Sequence, residues 1–289
     1  MGFRTVVITN PCKLTYKNDY LIIRGEDVNM IHLSEISTLL IDTTMVSITA
    51  YLLCELVKNK IKVVFCDERR NPVSELIPYY GCHNSSKRVM NQILWDDYYK
   101  KAVWTAIVRQ KIKNQALLLK ALGKPEYAKL EGYIEELEFF DVTNREGHAA
   151  KVYLNSLFGK DFCREDPNDI NAALNYGYAV ILSTFNKEIV SKGYLTQLGI
   201  RHKNEFNFFN LSCDLMEPFR VLVDHLVYIH QTEYFDSNYK LKLVEILNQP
   251  VRLGGRENIL MNAIQIYIES VVKAIETKEL NQLLLYEFA

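Results

Sequence analysis

Glycine and proline are scarce, 12 and 7 in 289 residues, which excludes a collagen-like or linker-like composition. The six cysteines (Cys12, Cys54, Cys66, Cys82, Cys163 and Cys213) contain no Cys-x-x-Cys pair, so reduced thiols are expected rather than a zinc ribbon or a disulfide framework. No apolar run approaches the roughly 20 residues needed to cross a bilayer. Charge of one sign is not in excess: 34 basic and 35 acidic side chains give a formal −1. That balance argues against non-specific nucleic-acid binding by the whole surface and leaves only a local patch. Met1 to Thr9 carries one charge and a short β-branched run, unlike a signal peptide, so the cytoplasm is the expected compartment, with no membrane partner. The common catalytic signatures are missing as well: no P-loop, no Gly-x-Gly-x-x-Gly, no Gly-x-Ser-x-Gly and no His-Glu-x-x-His.

What remains is ordinary globular composition, 48% apolar and 24% charged, with enough length for one large or two unequal domains. The first quarter reads as β: Arg4 to Thr9, Lys13 to Tyr16, Tyr20 to Ile23, Ile31 to Leu33, Leu39 to Ile41 and Ile61 to Cys66, with a helical spacing over Val46 to Lys58 between the last two. Asp67 to Ser86 carries the breakers of a linker. Beyond it the pattern is helical: Ser86 to Leu122, Tyr127 to Phe140, Thr143 to Phe158, Ile170 to Lys192, Leu211 to His230 interrupted at Pro218, and Ile259 to Leu284 after a hairpin around Gly254 and Gly255. The expected fold is α+β, a small β-strand-rich N-terminal domain (residues 1–76) followed by a larger all-α domain (77–289).

Charge is uneven along the chain. Residues 81–130 hold ten basic side chains against three acids, and 131–146 hold six acids and one arginine. Two compensating solvated helix faces explain this; so does a basic helix that tracks a phosphate backbone.

Three polar stretches stand out in the helical part. In Thr143 to His148, Thr143 and Glu146 have capping-box spacing, yet Glu146 also shares a helix face with Tyr153 and Leu157, where a carboxylate needs a partner or a metal. In Leu198 to Asn204, His202 sits in a loop with Gly199, Arg201 and Lys203; a surface histidine and a phosphate-facing one both fit. In Leu211 to Arg220, Asp214 and Glu217 lie three apart among Leu, Met and Phe before Pro218; first-turn acids complement a helix dipole, whereas two inward carboxylates call for a cation between them. Carboxylates with an imidazole suit Mg²⁺ or Mn²⁺ and metal-assisted phosphodiester chemistry. Spacing alone does not bring these three stretches together.

At these residues the chain resembles a known family. Asn144 to Gly147 on a helix, then Gln197 to His202, then Asp214 to Arg220, occurring in that order, resemble the Cas-one family of CRISPR-associated endonucleases, the integrases of spacer acquisition. Thr5 to Val7, Pro78 to Tyr80 and Asn168 to Ala172 resemble its type II-A branch. The resemblance implies a β-rich N-terminal dimerisation domain and a helical catalytic domain, and a homodimer that clamps a smaller CRISPR-associated adaptation protein. It also implies double-stranded DNA as partner, both as a captured fragment and as the leader–repeat of a CRISPR array. The implied activity is metal-dependent joining of fragment 3′-hydroxyls to that array by transesterification, with hydrolytic nicking when water replaces the hydroxyl. Glu146, His202 and Glu217 fall on the family's three metal-binding and catalytic positions. Glu217 is aspartate in many relatives, Asp214 matches a further acidic position, and Arg201-His202 replaces a common histidine pair. The rival readings are a non-catalytic dimeric DNA-binding scaffold and an unrelated metal-dependent phosphohydrolase.

Overall fold

The computed structural model describes residues 4–78 and 82–288; Tyr79 and Tyr80 of the Pro78 to Tyr80 segment lie outside them. The chain divides into two compact units, residues 1–81 and 82–289.

The first unit is strand-rich: β1 (Arg4–Ile8), β2 (Cys12–Lys17), β3 (Tyr20–Arg24), β4 (Val28–His32), β5 (Ile36–Ile41), β6 (Val46–Ile48), helix α1 (Ala50–Lys58), β7 (Lys62–Cys66) and β8 (Pro72–Glu75). One sheet has the order β1-β5-β7-β8, with β1, β5 and β7 parallel and β8 antiparallel. Every residue of β5 is buried, as a strand between two parallel neighbours requires. The other sheet, β4-β3-β2-β6, is built on a two-residue hairpin whose turn residues Asn18 and Asp19 both have positive φ, the geometry that suits strand twist. Leu14, Leu21, Leu39, Leu52, Leu56 and Val63, drawn from both sheets and α1, belong to one core of this unit.

Two expectations change here. The helical spacing from Val46 gives a helix only from Ala50, because Val46–Ile48 pairs in parallel with β2 and the Thr49 side chain then caps the helix by accepting from Leu52 N. The linker-like stretch after Asp67 contributes β8, anchored where Glu75 pairs with the buried Lys62 ammonium.

The second unit holds α2 (Ser85–Ile93), α3 (Asp97–Ala121), α4 (Tyr127–Glu135), α5 (Arg145–Phe158), α6 (Asp169–Ser191), α7 (Asn210–Met216), α8 (Arg220–Ile229), α9 (Ser237–Glu245), β9 (Pro250–Leu253), β10 (Arg256–Ile259), α10 (Leu260–Thr277) and β11 (Tyr286–Glu287). The run expected as one helix from Ser86 splits, because Asp96 accepts from Tyr98 N and starts α3 afresh. Helix α3 is buried around most of its circumference, from Val103 and Trp104 through Lys111 and Asn114 to Leu119, and packs against α4, α5, α8, α10 and the turn between α7 and α8. It is the central rod of the unit.

The closing helix is shorter than its periodicity suggests. Lys278 adopts φ 61° and ends α10, and the chain then turns through Leu280–Gln282 into β11, which pairs antiparallel with β9. The hairpin at Gly254 and Gly255 forms as expected, both glycines having positive φ. Helix α9, capped by Asp236, was not expected. The α+β class holds, with the helical unit carrying one small sheet.

Candidate metal and phosphodiester site

Residue Asn144 enters α5 in a left-handed conformation, φ 53°, which asparagine tolerates. Gly147 leaves room for its side chain, since a Cβ there would come within 2.8 Å of Asn144 Nδ2. The capping box does not form: Asp141 Oδ1 accepts from Arg145 N at 2.7 Å and Oδ2 from Glu146 N at 3.1 Å, while Thr143 Oγ1 is buried without a partner. The glutamate is thereby released from the helix end. Its Oε1 lies 2.6 Å from Lys111 Nζ instead. Arg145 turns outward to Glu136, 3.1 Å away.

Pro218 breaks the helical run as expected. Helix α7 ends at Met216, a 3-10 turn spans Glu217–Phe219, and α8 restarts at Arg220. Glu217 is buried, with Arg220 Nε donating to Oε1 at 2.9 Å. Its Oε2 lies 2.6 Å from the same Lys111 Nζ, at an angle that makes an ion contact rather than a hydrogen bond, so that this buried oxygen has no donor aligned with it. Burial alone would raise the Glu217 pKa, but Arg220 and Lys111 outweigh it and hold the carboxyl down at about 2. Burial likewise works against the charge on Lys111, and Glu217 and Glu146 overcome it, holding that pKa above the ordinary lysine value.

The third expected residue, His202, arrives on a loop organised by Asp214. This aspartate is fully buried and accepts from three successive backbone N–H groups: Ile200 at 2.5 Å and Arg201 at 2.9 Å on Oδ2, and His202 at 3.1 Å on Oδ1. Oδ1 also pairs with His202 Nδ1 at 2.6 Å. Such a carboxylate–imidazole pair fixes the tautomer with Nδ1 protonated and leaves the Nε2 lone pair for another ligand. The His202 pKa is raised, first by this bond and then, against its partial burial, by the charges of Asp214, Glu217 and Glu146. Those Coulombic contributions put all three expected residues in one electrostatic neighbourhood. The His202 ring also meets Trp104 edge-on, centroids 6.0 Å apart. Gly199 serves this loop through space: a Cβ there would run into the His202 carbonyl and lie 2.8 Å from Asp214 Oδ2.

Helix α3 unites the three stretches. Trp104 and Lys111 are seven residues apart, two turns, and so share a face; one touches His202 and the other Glu146 and Glu217. Sequence reasoning placed Lys111 among the surface bases of residues 81–130. The available signal was its helical spacing from the apolar Trp104, Ile107 and Leu118, in a row that also holds the polar Asn114. Other bases of that stretch are also engaged, Lys101 with Asp97 at 2.6 Å and Lys113 with Glu287 at 2.9 Å, so it is not a free cationic stripe.

Among the described residues, no three His, Cys, Asp or Glu side chains stand close enough to hold a metal ion as they are. The donors nevertheless fit a divalent ion: two carboxylates already converge on one cationic atom, one buried carboxylate oxygen lacks an aligned donor, and an imidazole held through Nδ1 lies within electrostatic reach of both. Oxygen donors with one nitrogen match Mg²⁺ and Mn²⁺.

Beneath the site, Asp224 is buried and accepts from Tyr153 OH at 2.9 Å and from Tyr178 OH. Burial pushes its pKa up to about 6 although both hydroxyls and Arg220 pull the other way. The Tyr178 ring lies 4.6 Å from the Arg220 guanidinium, linking this pair to Glu217.

Comparison with known proteins places the chain in a family. The sequence pattern of the family described as "CRISPR associated protein Cas1" matches residues 5–233. The CRISPR-associated endonuclease Cas1 of Neisseria meningitidis serogroup C (strain 8013) is 33% identical over 296 aligned positions, covering 99% of this chain and 97% of that protein. Among solved structures, a casposase bound to its integration product superposes with a TM-score of 0.77 at 17% identity, over 96% of this chain and 92% of that one. A Cas6-RT-Cas1–Cas2 complex gives 0.74 at 16% identity, over 97% of this chain; the chain spans 36% of that longer polypeptide.

Proposed function

Because the chain belongs to the CRISPR-associated Cas1 family, we propose that it is the DNA endonuclease and integrase of CRISPR adaptation and that the cluster around Lys111 is its active centre. The observation that carries this reading is the convergence of Glu146 and Glu217 on one cationic nitrogen beside His202. The reaction is transesterification: the 3′-hydroxyl of a captured DNA fragment attacks a leader–repeat phosphodiester, a new P–O bond forms, and the target strand's 3′-oxygen leaves with a proton.

Glu146, Glu217 and His202 Nε2 are the groups that would hold Mg²⁺ or Mn²⁺. When bound, such an ion polarises the phosphodiester and stabilises the charge that develops on it. The chain's own residues prepare for this. Arg220 keeps Glu217 ionised at neutral pH, so its oxygens remain available as donors. Asp214 holds the imidazole with Nε2 presented. Lys111 supplies a resident positive charge that keeps the two carboxylates together and attracts a phosphate.

The loop that carries His202 also carries Arg201 and the exposed Phe206 and Phe208. Base-stacking rings beside cations suit the handling of DNA ends. In the first unit, Val28 and Met30 on β4 are exposed. We infer that residues 1–76 form the homodimer surface, residues 77–289 the catalytic domain, and a smaller Cas2-type protein the partner that the dimer clamps. No helix among the described residues is long and apolar enough to cross a membrane, and the cytoplasm, where an array would be met, is the compartment this reading requires.

A nicking assay tests the reading. Supercoiled and branched DNA are incubated with the protein and Mn²⁺ or EDTA. Cleavage with Mn²⁺ that Glu217→Ala abolishes supports it. Cleavage indifferent to EDTA, or a preference for small phosphate esters over DNA, rejects it.

A further inference from the structure

The turn that bears Glu217 is gripped from outside the region matched by the family, which ends at residue 233. Asn114, one turn beyond Lys111 on α3, is fully buried. Its Nδ2 donates to Pro218 O at 2.9 Å and to Tyr286 O at 3.1 Å. Its Oδ1 accepts from Gln110 Nε2 at 2.8 Å and from Phe288 N at 3.1 Å. Two donors and two acceptor sites are thus all used, the full capacity of an amide. Three of the four bonds tie the Glu217–Phe219 turn to the segment Tyr286–Phe288.

Ring packing doubles this tie. Tyr286 is buried and stacks on Phe219 with centroids 4.8 Å apart and planes 16° from parallel. Phe288 meets His225 of α8 edge-on at 5.5 Å. The segment itself is anchored by pairing with β9 at Tyr286 and Glu287, and Glu287 reaches Lys113 on α3. Pro218 has no N–H to contribute to a helix ladder, so a break in the helix at the site is held by what lies outside it.

We propose that Tyr286–Phe288 is a positioning strap for Glu217: through Asn114 and Phe219 it fixes the backbone from which that carboxylate reaches Lys111. Tyr286, Phe288 and Asn114 act through Glu217 and do not touch the reacting atoms. The proposal rests on the active-centre reading for its consequence, but its geometry stands on the contacts alone.

The experiment is hydrogen exchange on the full chain, following peptides that cover residues 215–221, with Mn²⁺ affinity measured by calorimetry in parallel. Four variants are compared. Tyr286→Ala removes the stacked ring and Tyr286→Phe keeps it; Phe288→Pro removes the N–H bonded to Asn114, while Phe288→Ala keeps it. Tyr286→Ala and Phe288→Pro are expected to speed exchange at 215–221 about ten-fold and weaken Mn²⁺ binding about ten-fold. Tyr286→Phe is expected to match wild type, and Phe288→Ala to fall closer to wild type than Phe288→Pro. Val244→Ala, a buried truncation in α9, controls for general destabilisation and should leave 215–221 protected. If Tyr286→Ala does not fold, the Pro and Ala pair at Phe288 decides. Unchanged exchange at 215–221 with normal Mn²⁺ affinity in the strap variants overturns the proposal. Wild-type protein that binds no Mn²⁺ but shows the coupled exchange overturns the metal reading instead and leaves the strap standing.

Discussion

The ammonium nitrogen of Lys111 stands 2.6 Å from Glu217 Oε2, and the same nitrogen stands 2.6 Å from Glu146 Oε1. One buried cation is therefore shared by two carboxylates delivered from elements more than seventy residues apart in sequence. A metal that uses those oxygens competes with, or adds to, a charge the protein already supplies.

Lys111→Met removes that charge and leaves the buried Glu217 carboxylate facing the partly exposed Glu146 with no cation between them. Breaking a buried ion pair from one side costs about 3–5 kcal/mol, and the variant is expected to lose stability on that scale without metal. Mn²⁺ should then raise its thermal midpoint by more than it raises that of wild type. Urea and thermal melts with and without Mn²⁺ check this; equal stability of the two proteins in EDTA contradicts it.

Asp214→Asn replaces an acceptor that serves three backbone N–H groups and the His202 ring. The expected result is a folded protein with Mn²⁺ affinity lowered about 10–100-fold, the usual consequence of losing a group that orients a metal-binding histidine. Nitrogen NMR of the imidazole reads the cause: wild type should show Nδ1 protonated, and the variant a mixture of tautomers. A single unchanged tautomer with wild-type affinity contradicts the assigned role.

Gly199→Ala tests the space argument. The added methyl meets the His202 carbonyl, a backbone atom with no rotamer to yield, and Asp214 Oδ2. Overpacking of this kind costs about 1–3 kcal/mol, and the loop should shift enough to weaken Mn²⁺ binding as well. Calorimetry beside a melt measures both; a neutral substitution contradicts the packing described.

Asp224 supplies the pH dependence. Its folded pKa is raised by burial to about 6, against about 3.9 for a free aspartate. The folded state therefore binds the proton more tightly than the unfolded state does. The stabilisation is complete below about pH 4 and is lost as pH rises through about 6, a change of about 2–3 kcal/mol. Asp224→Asn cannot ionise and should lack this contribution to the slope. Urea melts from pH 4 to 7.5 compare the two; parallel profiles contradict the shift.

The β-rich and helical halves, the break at Pro218 and the glycine hairpin were legible because each depends on local chemistry: β-branched alternation, an imino ring, and positive φ. Glu146, His202 and Glu217 were legible as motifs. Their assembly was not, because it depends on Lys111, which stands between Arg109 and Lys113 in a basic stretch and whose burial is set by the packing of α3. The capping box failed for a related reason: Asp141, with its own positive φ, reaches the α5 amides first. Asn114 and Tyr286 lie 172 residues apart, and no local pattern announces a contact of that range.

The most direct test of the proposed active centre is strand transfer. The protein, with a Cas2-type partner, is given a short duplex with free 3′-hydroxyls and a supercoiled leader–repeat plasmid in Mg²⁺, Mn²⁺ or EDTA. Wild type is compared with Glu146→Ala, His202→Ala and Glu217→Ala, each checked for folding. Metal-dependent joining that disappears in all three variants is the predicted result. Joining that survives any of the three substitutions, or DNA binding without joining under either metal, contradicts it.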